Sequence, residues 1–133
     1  SGTVGLPEKC RWSAVFPEDR LLEGLDAMGN LRFVLGSALD EAAALALLAE
    51  LGLEDAVGKP ARDFSGGMKR RLALARALLA PFDVLALDEP FTGLDQDNRE
   101  RAWRCVREHA AGKPVLLVSH ELPPAAAYDL VRL

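Results

Sequence analysis

Two short apolar runs constrain this chain more than any other feature. Val84-Leu85-Ala86-Leu87 and Val115-Leu116-Leu117-Val118 show no polar alternation, and both end abruptly in ionisable residues, Asp88-Glu89-Pro90 and Ser119-His120. A run of this kind suits a strand buried on both faces of a parallel sheet. Parallel neighbours cannot be joined by a tight turn, and the stretch between them, Asp97–Ala110, reads as a helix terminated by Gly112 and Pro114. Strand, helix and strand in that order form the crossover unit of an α/β fold, in which ligands bind beyond the carboxyl ends of the strands.

Upstream the pattern is helical. Ala, Leu and Glu dominate from Asp40 to Leu51, with Gly52 as a C-terminal cap. A second helix opens at Ser65-Gly66-Gly67 and runs to about Leu79, stopped by Pro81; Met68, Leu72, Ala75 and Leu79 share a stripe, while Lys69, Arg70 and Arg76 fall mainly off it. The first third is less regular. Thr3–Leu6 and Trp12–Phe16 are weak extended candidates closed by Pro7 and Pro17, Glu18–Gly29 is polar and turn-rich, and Asn30–Leu35 is too short to classify by periodicity.

Composition narrows the function classes. A chain of 133 residues with 50% hydrophobic content fits one domain with a sizeable core. Sixteen basic against twenty acidic side chains give a net charge of −4, which argues against a broad nucleic-acid footprint, so no nucleic-acid partner is expected. The longest apolar runs, such as Leu72–Leu79, are broken by arginine and too short to span a bilayer. Cys10 and Cys105 lack the spacing of a zinc site and read as reduced thiols in a cytosolic setting, and the opening Ser1–Leu6 lacks the pattern of a secretory signal.

Several residues could carry chemistry, and each also has a plain structural use. Asp88 and Glu89, delivered side by side at a strand end, could hold Mg²⁺ through water and accept a proton, a combination suited to phosphoanhydride hydrolysis; the same Asp-Glu-Pro suits a solvated turn. Ser65 followed by Gly66 and Gly67 leaves backbone N–H groups open to an anion at the positive end of a helix, or is an ordinary N-cap. His120 could hydrogen-bond a γ-phosphate or a water, or be structural; Asp95 could simply cap the helix that follows it.

Taken together these residues resemble the nucleotide-binding domain of an ATP-binding cassette (ABC) transporter. Phe64-Ser65-Gly66-Gly67-Met68-Lys69-Arg70-Arg71-Leu72-Ala73-Leu74-Ala75-Arg76-Ala77-Leu78 is similar to the signature motif and the helix after it. Val84–Pro90 resembles the Walker B strand, Gly93-Leu94-Asp95 the D-loop, Leu117-Val118-Ser119-His120 the switch-histidine segment, and Tyr128–Leu133 the strand that follows it. The resemblance implies a P-loop NTPase-like α/β fold with a helical subdomain at about residues 30–80, of which Asn30–Lys59 would dock on a membrane permease. It further implies ATP and Mg²⁺ as cofactors, with Asp88 binding the metal through water, Glu89 as general base and His120 on the γ-phosphate. Ser65, Gly66 and Gly67 would bind ATP held by a second, head-to-tail ABC ATPase subunit, with Asp95 at that interface. The implied location is cytoplasmic, peripheral at the inner face of the membrane.

Two departures qualify the likeness. No G-x-x-x-x-G-K-[ST] phosphate loop occurs in these residues, so the chain resembles roughly the last two thirds of a domain of about 200 residues. The expectation is a domain truncated at its N-terminus, inactive alone and prone to self-association through uncovered apolar surface. In Val15–Leu22, which resembles the Q-loop, Pro17 stands where glutamine is expected, and proline offers neither a side-chain amide nor an N–H. The primary expectation is part of an ABC transporter ATP-binding protein. The alternative is a non-catalytic module that completes a partner's ATP site in trans or docks on a permease.

Overall fold

The computed structural model describes residues 9–120, so the extended candidate at Thr3–Leu6 and the segment Tyr128–Leu133 lie outside the described residues. Strands β1 (Trp12–Val15), β2 (Val84–Asp88) and β3 (Val115–Val118) form a parallel sheet in the order β1-β2-β3. The register sets Trp12 opposite Val84 and Asp88 opposite Val118, bringing the carboxyl ends of β2 and β3 level. In the central strand Leu85 and Leu87 are buried, as its unalternating pattern predicts. The same expectation fails for β3. There Val115 and Leu117 pack against the core while Leu116 and Val118 remain 48% and 61% exposed, because among the described residues the core covers one face of this strand and not the other.

The helices are α1 (Ala27–Leu35), α2 (Glu41–Glu50), α3 (Gly66–Leu79) and α4 (Gln96–His109), with short 3₁₀ turns between α1 and α3. All of them start by the same device. Asp26, Asp40, Ser65 and Asp95 each accept a bond from the backbone N–H three residues on, at 2.7, 3.1, 3.1 and 2.8 Å. Each such cap contributes about 1 kcal/mol and fixes where the helix begins. Asp40 therefore precedes α2 rather than opening it, and Gly52, at φ +77°, follows the C-cap Leu51 in the left-handed conformation glycine tolerates.

Helix α1 occupies a region that looked turn-rich or unclassifiable. Its organiser is Asn30, 2% exposed, whose amide donates to the carbonyls of Leu22, Leu25 and Asp26 and whose Oδ1 accepts from Leu22 N–H. A buried polar residue in the helix interrupts the apolar pattern and ties down the preceding loop at the same time.

Helix α3 is the centre of the molecule, touching β1, α1, α2 and α4. Its burial is not confined to a stripe. Arg70 and Arg71 are 4% and 8% exposed, against the expectation for Arg70, because a helix packed on several sides has no face left for solvent. One continuous core joins Leu31, Leu47, Leu72, Leu85 and Val106, and Phe91 meets Trp103 edge to face with ring centroids 6.0 Å apart.

Candidate nucleotide site

The N-terminus of α3 and the carboxyl end of β2 open onto one cleft of about 830 Å³, lined among others by Pro17, Ser65, Gly66, Gly67, Glu89 and Asp95. At its helical wall the Ser65 hydroxyl accepts the Met68 N–H, so its cap role is fulfilled and the N–H groups of Gly66 and Gly67 lack intrahelical acceptors. A Cβ on Gly66 would meet nothing within 4 Å. On Gly67 it would stand 3.3 Å from the Gly93 carbonyl oxygen and 3.4 Å from Leu94 Cδ2, so that glycine is needed for close packing against the turn after β2. Asp95 lines the cleft and also caps α4.

The opposite wall begins where β2 ends. Glu89 has a left-handed backbone, φ +48°, unusual for a residue with a side chain. Its N–H donates to the Val118 carbonyl at 2.7 Å, and its carbonyl receives the Arg70 guanidinium. The carboxylate is consequently aimed outward. Oε1 meets His120 Nδ1 and Oε2 accepts from Thr92 Oγ1 at 3.4 Å. Asp88 and His120 do not line the cleft; they stand beside it at the sheet's carboxyl edge, and His120 is linked to it through Glu89.

Pattern reading missed the arginines of α3. Arg71 donates to the carbonyls of Leu51 (2.7 Å) and Gly67 (3.2 Å) and to Asn98 Oδ1 (3.1 Å), linking α2, α3 and α4 behind the cleft. Arg76 donates to the carbonyls of Asp19 (2.7 Å) and Arg20 (3.0 Å). Burial draws both guanidinium groups below their ordinary pKa, opposed by Asp95 near Arg71 and by Asp19 near Arg76. One signal was available. Arg70 and Arg71 are adjacent, about 100° apart on the helix, so a helix buried on most of its circumference cannot turn both to water.

Known proteins resemble this chain in sequence and fold. The family model described as ABC transporter matches residues 7–92. The chain is 41% identical to the Nod factor export ATP-binding protein I of Cupriavidus pinatubonensis, over 82% of this chain and 34% of that protein. It is 40% identical to the aliphatic sulfonates import ATP-binding protein SsuB 1 of Agrobacterium fabrum, over 96% of this chain and 48% of that one. This chain thus spans between a third and a half of the length of these relatives. Among solved structures, RNase-L Inhibitor superposes with a TM-score of 0.71 at 25% identity, covering 86% of this chain and 23% of that one. The family match extends over more than half of the sequence, and strands β1 and β2, the Ser65-capped helix and the acidic strand end fall within it: the chain belongs to the ABC transporter family and has the α/β fold of its P-loop NTPase domains.

Proposed function

We propose that these residues are part of an ABC transporter ATP-binding protein, in which MgATP binding and hydrolysis drive movement of a substrate across a membrane. The observation that carries this reading is the Glu89–His120 contact at the edge of a cleft whose other wall is the Ser65-Gly66-Gly67 helix tip. Glu89 orients the attacking water and takes its proton, with its carboxylate steadied by Thr92 on one oxygen and His120 on the other. His120, whose side chain is almost fully exposed, would contact the γ-phosphate. The open Gly66 and Gly67 N–H groups donate to phosphate oxygens of ATP held by the second, head-to-tail ABC ATPase subunit, and Asp95 lies across that interface.

Mg²⁺ bound with a nucleotide takes one or two carboxylates plus phosphate oxygens and waters, and its role is to offset phosphate charge. Among the described residues no group of three or more His, Cys, Asp or Glu side chains could enclose a metal by itself. Asp88, a single carboxylate at the strand end, fits the shared arrangement, through water. Residues of about 30–80, holding α1 to α3, form the helical subdomain and face a permease, which puts the protein at the inner face of the membrane. Among the described residues no helix is long and apolar enough to cross a membrane.

A second reading is favoured by Pro17 at the glutamine position and by the lack of a phosphate loop within these 133 residues. In that case the chain completes a partner's ATP site in trans without hydrolysing ATP itself. One assay tests both. The chain is added to an intact ABC ATPase subunit and ATP turnover is followed with wild type, Ser65→Arg and Glu89→Gln. A gain abolished by both variants supports the catalytic reading; a gain abolished by Ser65→Arg alone supports the accessory one. Micromolar ATP binding by the isolated chain would contradict the view that a separate phosphate loop supplies most of the affinity.

A further inference from the structure

Arg70 distributes one guanidinium between two segments far apart in sequence. Nη1 donates to the Phe16 carbonyl (2.6 Å), the Pro17 carbonyl (3.2 Å) and Asp19 Oδ1 (2.8 Å), all in the loop after β1. Nη2 donates to the carbonyls of Asp88 (2.9 Å) and Glu89, and Nε to the Glu89 carbonyl at 3.0 Å. The residue is 4% exposed, so its donors have to be satisfied inside the protein. Only a planar fork of donors can satisfy carbonyls on both sides at once; a lysine is a point charge on a flexible stem.

The end of β2 needs such a clamp. Glu89 holds a left-handed backbone that side-chain-bearing residues keep only where the surroundings enforce it. Its N–H is fixed by Val118 from β3 and its carbonyl by Arg70 from α3, and those two bonds set the direction in which the carboxylate meets His120. The loop after β1 has no side chain of its own at Pro17 to reach this point. It presents main-chain carbonyls instead, and Arg70 takes them up, with Asp19 supplying the countercharge.

We propose that Arg70 is a positioning residue that holds the Glu89 backbone, and with it the Glu89–His120 contact, in step with the Phe16–Asp19 loop. A displacement of the loop then reaches Glu89 through a single side chain. The proposal rests on the reading of Glu89 as the general base, and is tested apart from it.

The experiment uses the full 133-residue chain without nucleotide, at one pH, and follows the Glu89 amide and His120 ring signals by NMR. Asp19→Asn perturbs only the loop side of the clamp. The expected result is a shift of both signals on Asp19→Asn in the wild-type background and loss of that response in Arg70→Gln. Arg70→Lys keeps the charge and the helix, and carries the same test where Arg70→Gln does not fold. No response in the wild-type background, or an undiminished one with Arg70→Lys, overturns the proposal. Turnover unaffected by Glu89→Gln would defeat the functional reading and leave this spectroscopic coupling standing.

Discussion

Gly66→Ala should make the chain more stable and less able to serve a nucleotide. Gly66 is the first residue of α3, its φ is not left-handed, and a Cβ there would have nothing within 4 Å. The substitution therefore creates no clash, and it removes conformational freedom from the unfolded chain, a gain of about 0.5 kcal/mol. For a domain of this size that is a rise in melting temperature of about 2 °C. The same empty space is the route by which a phosphate would approach the backbone N–H, so the added methyl should abolish the trans stimulation of an intact ABC ATPase subunit. Gly67→Ala is the internal control. Its Cβ would sit 3.3 Å from the Gly93 carbonyl, and the backbone shift needed to relieve that contact offsets the entropic gain, so its melting temperature should fall below that of Gly66→Ala. Thermal denaturation by circular dichroism and a coupled ATPase assay make the two measurements. A Gly66→Ala chain that melts higher yet stimulates as well as wild type would refute the use of this helix tip as a phosphate site.

Three further outcomes follow from the packing. Asn30→Ala takes away the side-chain acceptor of the Leu22 N–H and the side-chain donor to the carbonyls of Leu22, Leu25 and Asp26, which keep backbone donors, and should cost about 1–2 kcal/mol, read as a lower urea midpoint with an unchanged m-value. Burial, helped by Glu50, pushes the Cys105 thiol up to about 12 from 9.0, so the folded state keeps a proton that the unfolded state releases. Stability should therefore fall as pH rises from about 9 toward 12, and Cys105→Ala should lack that share of the loss in urea titrations across the range. Trp12, Phe16, Leu116 and Val118 expose apolar surface on β1, on β3 and just beyond β1, so the chain should self-associate in light scattering. Leu116→Thr with Val118→Thr should reduce that association, and a concentrated wild-type chain that stays monomeric would count against it.

Where a local rule governs an element, the sequence was enough to read it. Ser65 and Asp95 announced the starts of α3 and α4 because capping depends on one side chain and its own next turn. β2 was legible because a central parallel strand is apolar on both sides. Long-range effects were not legible. β3 has the composition of a buried strand, yet Leu116 and Val118 face solvent, since coverage is decided by neighbouring segments and not by the run itself. α1 was hidden by Asn30, whose partners lie in the loop before it. At the site, the grouping of Glu89 with His120 followed from strand ends in one parallel sheet, whereas the clamp at Arg70 depends on main-chain carbonyls, which leave no mark on the residue type.

The lack of room for a side chain between Gly67 and Gly93 has a consequence for grafting. Residues 65–67 and 93–95 read as separate words, but a Cβ on Gly67 would stand 3.3 Å from the Gly93 carbonyl oxygen, and Gly93 itself turns at φ +81°. A chimera that imports only the tripeptide from a relative would inherit a partner surface shaped for a different neighbour. Exchanging both stretches together preserves the fit, and the unit of inheritance at this corner of the molecule is the facing pair.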